Sequence, residues 1–228
     1  MNDVGNQLDT VIQFLNELER NNNRQWFLEN REKYDSAKLV FEQFVANLLQ
    51  EIVSFDSEII PEKPSKYIFR IYRDTRFSKD KDPYKNNFGA FISPAGRSGG
   101  LAGYYIHIES GKSMAAGGVY MPQPEVLKAI RTEVLFKHEL FSQLINEPPF
   151  VQLFGGLDDI ALSRPPKGFP PDHPAIHLAR YKSYVYTRMF DDSAVVATDF
   201  ANEVLTSFRA MKQLNHFLNN AIRLIDEK

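Results

Sequence analysis

Residues 67–85, YIFRIYRDTRFSKDKDPYK, hold the densest set of side chains that could bind a charged ligand, and we call them the basic stretch. Arginine or lysine recurs at every third position from Arg70 to Lys79, with aromatic residues interleaved. Guanidinium groups fit phosphate and carboxylate oxygens with paired hydrogen bonds, and lysine adds mobile positive charge. The candidate anion-binding residues here are Arg70, Arg73, Arg76, Lys79, Lys81 and Lys85.

The region around the basic stretch has the opposite charge from the rest of the chain. Residues 63–85 contain eight basic and three acidic residues, for a charge of +5, whereas the remaining 19 basic and 26 acidic residues give −7. Positive charge collected in one segment of an acidic protein indicates a site that receives an anion. The competing interpretation is a structural ion-pair network in which Asp74, Asp80, Asp82 and acids on the helices neutralise the cations.

A second basic segment could complete this site from the opposite side. Residues 163–174, SRPPKGFPPDHP, contain five prolines, which exclude regular helix or strand. We therefore expect a rigid loop that presents Arg164 and Lys167.

An enzyme would also need a group that transfers protons. His107 falls in a predicted strand beside the site, although a half-buried structural role is the competing interpretation for it. Tyr84 and Asp74, within the basic stretch, are the other candidates for catalytic residues.

Two short strings resemble catalytic motifs but lack the context that the chemistry requires. Residues 96–100, GRSGG, fit the G-x-S-x-G string of serine hydrolases, yet they lie in a Gly-rich turn between two predicted strands rather than a strand-to-helix turn. Residues 111–113, GKS, resemble the end of a phosphate-binding loop. The glycine required five positions earlier is replaced by Ile106, and a strand follows instead of a helix.

Composition removes several other classes of site. The chain of 228 residues has no cysteine, which excludes disulfides, thiolate nucleophiles and Cys-ligated zinc and fits the cytoplasm. The five histidines are scattered without an HExxH motif, so we expect no metal site and no cofactor. No segment approaches the length of apolar sequence that crosses a membrane, and the N-terminus lacks the features of a signal peptide.

Apolar residues at helical spacing predict a helix over 7–19, and Asn23 is placed to cap a second, longer helix that runs to Ile52. Further helices are predicted over 125–136, 137–146 and 193–225. Two-residue alternation predicts strands over 67–73, 88–93, 101–109, 113–120 and 180–190, joined mostly by short turns.

These elements predict an α+β fold. An antiparallel meander of about four to six strands should be packed by the long N-terminal and C-terminal helices. No internal repeat or low-complexity linker interrupts the chain, so we expect a single domain over residues 1–228.

Four stretches together resemble one protein family. They are NNNRQWFLENREKYD, FRIYRDTRFSKDKDPYK, the segment from GYYIHIE to GGVYMPQPEVLKAIR, and RPPKGFPPDHP. In this order they resemble the conserved hypothetical proteins called domain of unknown function 2461, over about Leu8 to Ile225. The string R-D-x-R-F-x-K-D-K-x-P-Y-K is the most specific element. The resemblance implies one domain across the chain and brings no activity, substrate or cofactor.

Three functions fit these observations. The first is an enzyme that acts on a phosphorylated or other anionic small molecule bound by the basic stretch. The second is a non-catalytic module that binds an anionic ligand, a nucleic-acid segment or an acidic partner, although a pI near 6.2 disfavours a broad nucleic-acid surface. The third is a structural protein whose cations are paired internally. The sequence does not set the oligomeric state.

Overall fold

The computed structural model describes residues 7–74, 76, 81–158 and 160–225. Within these residues the chain forms helices α1 (Leu8–Arg20), α2 (Arg24–Glu29), α3 (Arg31–Phe55), α4 (Pro124–Phe136), α5 (His138–Asn146), α6 (Pro148–Phe154), α7 (Asp192–Val195) and α8 (Phe200–Arg223). The strands are β1 (Phe88–Ile92), β2 (Gly103–Ile108), β3 (Ser113–Val119) and β4 (Tyr184–Phe190). They form one antiparallel sheet in the order β1-β2-β3-β4, which confirms the predicted α+β meander.

Two predicted long helices are each divided by a short break. Asn23 caps α2 as predicted, because its Oδ1 accepts a hydrogen bond from the Trp26 N–H (3.0 Å). One turn later the Asn30 side-chain amide donates to the Trp26 carbonyl (3.0 Å), and the backbone leaves helical geometry before α3 begins. Near the C-terminus the break at residues 196–199 separates α7 from α8, where Thr198 and Asp199 favour a new helix start.

The predicted strand over residues 67–73 forms isolated bridges instead of a regular strand. Helix α6 was not predicted, because its Pro148-Pro149 start resembles a loop signal, although proline fits the first helical turn. The proline-rich segment, residues 163–174, contains no helix or strand, as predicted. Among the described residues, no helix is both long and apolar enough to span a bilayer.

The chain divides into two compact units, and β2, β3, β4 and α8 contribute residues to both. The first comprises Met1–Ile92, Tyr105–Ala115 and Met189–Thr206, and the second comprises Ser93–Tyr104, Ala116–Arg188 and Ser207–Lys228. That the chain is a single domain stays a prediction.

The first unit has an aromatic core that fixes one face of β1. The Phe88 ring lies 6.3 Å from Phe14 on α1 and 5.4 Å from Phe41 on α3, measured between ring centroids. Phe44 of α3 stacks on Phe200 at the start of α8 (5.6 Å). Such aromatic pairs each add about 0.5–1.5 kcal/mol beyond their buried area. The N-terminal helices therefore cover the face of β1 that carries Phe88.

The second unit ties the start of β2 to α8 through two buried amides. Asn219 accepts from the Ala102 N–H (2.7 Å) and donates to the Ala102 carbonyl (3.2 Å). Asn215 donates to the Gly103 carbonyl (3.2 Å) and accepts from the Tyr186 hydroxyl (2.6 Å). Because buried polar groups are costly without partners, these bonds fix the position of α8 along the strands of this unit.

Candidate functional site

Residues 67–73 of the basic stretch run antiparallel to residues 83–91, which include most of β1. The Arg73 N–H donates to the Pro83 carbonyl (3.0 Å), and the Phe69 N–H donates to the Gly89 carbonyl at the start of β1 (2.9 Å). The described ends of the predicted loop, residues 73–85, therefore pair with each other. Lys79, one of the predicted anion-binding residues, lies outside the described residues.

A bulge separates these two paired regions. The Lys85 N–H donates to the Ile71 carbonyl (2.8 Å), whereas Phe69 pairs with Gly89. Three residues, 86–88, therefore lie opposite the single residue Arg70. Asn22 holds this bulge from the loop between α1 and α2. Its side-chain amide donates to the Tyr84 carbonyl (3.0 Å) and to the Asn86 side chain (2.9 Å), and its Oδ1 accepts from the Tyr84 N–H (3.2 Å). The loop between α1 and α2 therefore fixes the C-terminal end of the basic stretch, at Tyr84.

The described cations of the basic stretch have different surroundings. Arg76 pairs with Asp74 through Nε (3.0 Å) and Nη2 (2.7 Å), which lowers the pKa of the Asp74 carboxyl below its ordinary value. Arg70 and Lys81 are exposed and Arg73 is half-buried. The Lys85 ammonium lies 5.6 Å from the centroid of the Phe69 ring, in cation–π range. The pair of Arg76 with Asp74 is a contact that the structural ion-pair interpretation predicts.

Tyr84 is a core residue of the first unit. It is 4% exposed, and its ring stacks on Phe27 with centroids 4.0 Å apart and planes 12° from parallel. Burial raises the pKa of its hydroxyl. His107 hydrogen-bonds to neither Tyr84 nor Asp74 within the described residues, so a proton-transfer role for those two stays a prediction.

His107 instead hydrogen-bonds to Tyr105 of β2 and to Glu109, the residue directly after that strand. The two-residue period of a strand places Tyr105, His107 and Glu109 on one face, while Ile106 and Ile108 face the core. The Tyr105 hydroxyl lies 2.9 Å from His107 Nδ1, and His107 Nε2 lies 2.9 Å from Glu109 Oε2. We call these three residues the proton relay.

The protonation states of Glu109 and His107 determine which groups donate and which accept hydrogen bonds in the proton relay. Hydrogen bonds from Lys112 and His107 outweigh the effect of burial and lower the pKa of Glu109, which is therefore an acceptor at neutral pH. Burial lowers the pKa of His107 despite the Glu109 contact, so the ring is neutral. Nε2–H must then donate to Glu109, leaving Nδ1 to accept from the Tyr105 hydroxyl. Burial raises the pKa of Tyr105 to about 12.

The turn after β2 holds the Glu109 end of the proton relay. The buried Ser113 hydroxyl donates to the Glu109 carbonyl (2.9 Å) and accepts from its N–H (3.1 Å). Asp192 at the start of α7 accepts from the Ser110 hydroxyl (2.6 Å) and the Gly111 N–H (2.8 Å). Lys112 Nζ donates to the second carboxylate oxygen of Glu109 (2.8 Å). This support fixes the carboxylate that orients His107.

Phe69 links the proton relay to the basic stretch. Its ring meets the Tyr105 ring edge-on, with centroids 6.2 Å apart and 72° between the planes. The same ring makes the cation–π contact with the Lys85 ammonium. A Cβ at Gly89 of β1 would stand 2.8 Å from the Tyr105 oxygen. Glycine on β1 therefore makes room for the hydroxyl that begins the relay.

Sequence reasoning identified His107 but missed Tyr105 and Glu109. The signal was present as Y-x-H-x-E in an alternating strand, which places all three side chains on one face. Arg164 and Lys167 are exposed residues of the second unit, and their participation in one site with the basic stretch stays a prediction.

Each unit has a cavity among its described residues. One, of about 420 Å³, lies between α1 and α3 and is lined by Thr10, Gln13, Phe14, Glu17, Glu32, Lys33 and Ser36. The other, of about 300 Å³, belongs to the second unit. Neither includes a residue of the basic stretch or of the proton relay. Within the described part of the chain, no three His, Asp or Glu side chains are grouped to hold a metal ion.

Comparison with protein families gives a match over residues 10–217 to the family described as conserved hypothetical protein, DUF2461. Neither a curated protein nor a solved structure matches the chain.

Proposed function

The chain belongs to the DUF2461 family of conserved hypothetical proteins, and we propose that it is an enzyme that binds an anionic small molecule and moves a proton through His107. The observation that carries the proposal is the unbroken hydrogen-bond chain from Tyr105 through His107 to Glu109. A neutral histidine between a hydroxyl and an oriented carboxylate is the arrangement that general acid–base catalysis uses. The lack of cysteine is consistent with a reaction in the cytoplasm.

The proton relay would act as a general base in one step. A substrate X–H gives its proton to the Tyr105 oxygen while the phenolic proton passes to His107 Nδ1, and X keeps the bonding electron pair. The imidazolium formed is stabilised by the Glu109 carboxylate. Because the pKa of resting Tyr105 is about 12 and that of His107 is lowered, the two do not exchange a proton without a substrate. The reverse step returns the proton to X.

The basic stretch would hold the anionic group of the substrate. Lys85 contacts Phe69, and Phe69 contacts Tyr105, so a cation and the first group of the proton relay lie against one aromatic ring. Arg70, Arg73 and Lys81 add positive charge along the same stretch. Phosphate and carboxylate groups are the anions that arginine and lysine bind most effectively.

A non-catalytic anion-binding module is the second candidate. It is favoured by the exposure of the Tyr72 side chain (46%) among exposed cations, which would suit a flat ligand on an open surface. The two candidates differ in their dependence on the proton relay. In a binding module, His107→Gln leaves every function of the protein unchanged.

The proposal is tested by melting temperature in a panel of phosphate, sulfate, nucleotides, sugar phosphates and short RNA. A ligand at a hundred times its dissociation constant stabilises the folded chain by about 2.7 kcal/mol. We expect a phosphorylated small molecule to raise the melting temperature of the wild type and to lose most of this effect in Lys85→Ala. Lys38→Ala, which removes a half-buried lysine of α3, is the matched control and should respond like the wild type.

Turnover of the stabilising compound then separates the two candidates. We expect His107→Gln and Tyr105→Phe to bind it with nearly unchanged affinity and to lose at least a hundredfold in kcat. A panel without any shift, or equal shifts in Lys85→Ala and wild type, would reject the anion site. Equal turnover in His107→Gln and wild type would reject the proton relay.

A further inference from the structure

Tyrosine and arginine side chains gather around Phe27 of α2 in the first unit. The Phe27 ring stacks on Tyr84, with centroids 4.0 Å apart, and lies 6.1 Å from the Tyr72 ring. The Tyr72 and Tyr84 rings are themselves 5.5 Å apart. The guanidinium carbon of Arg31 lies 6.0 Å from the Phe27 centroid. We call Arg24, Arg31, Tyr72 and Tyr84 the tyrosine–arginine cluster.

The Tyr84 hydroxyl is a hydrogen-bond donor without an acceptor in the described protein. Tyr84 is 4% exposed, yet its hydroxyl has no hydrogen-bond partner within the described residues. Arg131 Nε is the one side-chain polar atom of those residues that is both buried from solvent and unpaired, so the Tyr84 hydroxyl must open to solvent. A buried ring therefore holds a donor whose tip is accessible to a ligand.

The charges that act on this hydroxyl are both positive. Burial raises the pKa of Tyr84, and the neighbouring Tyr72 phenol raises it further, whereas Arg24 and Arg31 oppose the rise. Arg24 lies three positions before Phe27 and therefore on the same side of α2. Because electrostatic effects decay with distance, the two guanidinium groups and the Tyr84 oxygen share one region of the surface.

Both arginines keep N–H groups for a ligand. Arg31 uses Nε for Asp35, at 3.1 Å from each carboxylate oxygen, which leaves its two Nη groups. This bond raises the pKa of Arg31, and the Tyr72 phenol adds to the effect. Arg24 is exposed, and within the described part of the chain its side chain makes no ion pair or hydrogen bond. Guanidinium and phenol donors thus outnumber the acceptors here.

The charge and the surface of the cluster select its ligand. Arg24, Arg31 and Asp35 together carry a charge of +1, so a singly charged anion leaves the region neutral. A carboxylate presents two oxygens in the plane that a guanidinium fork matches. The Tyr72 side chain is 46% exposed beside these donors, and aromatic rings favour packing against a second ring. The complementary ligand is a small aromatic carboxylate.

We propose that the tyrosine–arginine cluster binds an aromatic carboxylate, which accepts hydrogen bonds from the Tyr84 hydroxyl and the Arg24 guanidinium and rests its ring on Tyr72. Arg31 adds positive charge to this site. The site does not depend on the proposed function, because it contains neither Lys85 nor a residue of the proton relay. In this role Tyr84, a predicted catalytic residue, is a donor to a bound ligand.

Isothermal titration of the wild-type chain with benzoate, benzamide and acetate tests the proposal. Benzamide keeps the ring and the planar head group of benzoate without its charge, and acetate keeps the charge without the ring. We expect saturable binding of benzoate, with benzamide weaker by at least about tenfold, since hydrogen bonds to charged groups are the stronger ones. Acetate should be weaker by about fivefold, because it lacks the contact with Tyr72.

Two substitutions remove one donor each. Tyr84→Phe keeps the ring that stacks on Phe27, and Arg24→Gln removes the exposed guanidinium; each should weaken benzoate by at least about tenfold. Tyr120→Phe and Lys128→Gln are the matched controls, since they remove a hydroxyl and a positive charge from exposed positions of the second unit. Both should keep wild-type affinity.

The melting temperature without ligand separates the loss of a donor from the loss of the fold. Because the Tyr84 hydroxyl has no partner within the described residues, Tyr84→Phe should melt at the wild-type temperature, and a clear decrease would overturn the assignment of a free donor. The proposal is also overturned if benzoate does not bind, if benzamide binds equally well, or if Tyr84→Phe or Arg24→Gln keeps wild-type affinity. Lys85→Ala should bind benzoate like the wild type; a loss equal to that of Tyr84→Phe would contradict a separate site.

Discussion

The contact between Gly89 and Tyr105 provides a quantitative test of the geometry that begins the proton relay. In Gly89→Ala the new Cβ would lie 2.8 Å from the Tyr105 oxygen and 3.2 Å from Cε2, so the ring must move away from β1. That movement strains the 2.9 Å hydrogen bond from Tyr105 to His107. Overpacking costs about 1–3 kcal/mol, and the hydrogen bond is worth about 0.5–1.5 kcal/mol.

The loss of backbone freedom in the unfolded chain offsets part of this cost, by about 0.4–1 kcal/mol for Gly→Ala. We therefore expect Gly89→Ala to lower the free energy of unfolding by about 2 kcal/mol. Tyr105→Phe alone should cost about 1 kcal/mol, since it removes one hydrogen bond. In the double variant the oxygen that collides with the new Cβ is absent, so Gly89→Ala should cost about 1 kcal/mol less than in the wild type.

Urea unfolding of the wild type, the two single variants and the double variant gives this coupling directly. Trp26 is the only tryptophan, and its ring lies 6.3 Å from Phe14 in the first unit, so its fluorescence reports on the unit that contains both residues. Distant, independent substitutions add to within about 0.3–0.5 kcal/mol. Additive effects within that margin would refute the placement of the Tyr105 hydroxyl against Gly89.

Three further substitutions have expected outcomes. Because the pKa of His107 is lowered in the folded state, the stability that the neutral ring contributes is complete above about pH 6.5 and is lost as the pH falls below it. His107→Gln should therefore reduce the pH slope of the free energy of unfolding, measured with urea below about pH 6.5, by up to about 1.4 kcal/mol per pH unit. Asn22→Ala removes three hydrogen bonds at the bulge and should lower the unfolding free energy, measured with urea, by about 2–3 kcal/mol. Gly118→Ala should cost more than about 3 kcal/mol in the same assay, since φ is +101° and the added Cβ would lie 1.9 Å from the Tyr184 carbonyl oxygen. A flat pH profile in wild type, or changes below about 0.5 kcal/mol in the other two, would contradict these expectations.

Periodicity predicted the parts of the fold that depend on local pattern. The helix that became α1 and the strands that became β1 to β4 follow from three- to four-residue or two-residue spacing of buried side chains. The class of fold then follows from their order.

Features set by tertiary contacts could not be read from the pattern. The bulge in the basic stretch depends on Asn22, which lies 62 residues before Tyr84 in the chain. The break between α2 and α3 depends on one asparagine side chain that competes for a helical carbonyl. Arg131 of α4 is buried, and within the described part of the chain its Nε has no hydrogen-bond partner, which the charge of a helical arginine does not indicate.

The candidate site was predicted in part. Charge counting located the basic stretch, but spacing alone did not show that Arg76 pairs with Asp74 or that Lys85 packs on Phe69. His107 was selected for its chemistry. Its partners Tyr105 and Glu109 become visible only when the two-residue period of β2 is applied to polar residues as well as to apolar ones.

The most direct test of the proposed function is nitrogen-15 NMR of the His107 ring during titration with the anion that stabilises the protein most. His107→Gln identifies the resonances among the five histidines. We predict a ring protonated on Nε2 and not on Nδ1, whose Nδ1 resonance shifts saturably as the anion binds, with a weaker dissociation constant in Lys85→Ala and an unchanged one in Lys38→Ala. Binding of the anion without any change at His107, or with the same titration in Lys85→Ala as in the wild type, would contradict a site that joins the basic stretch to the proton relay.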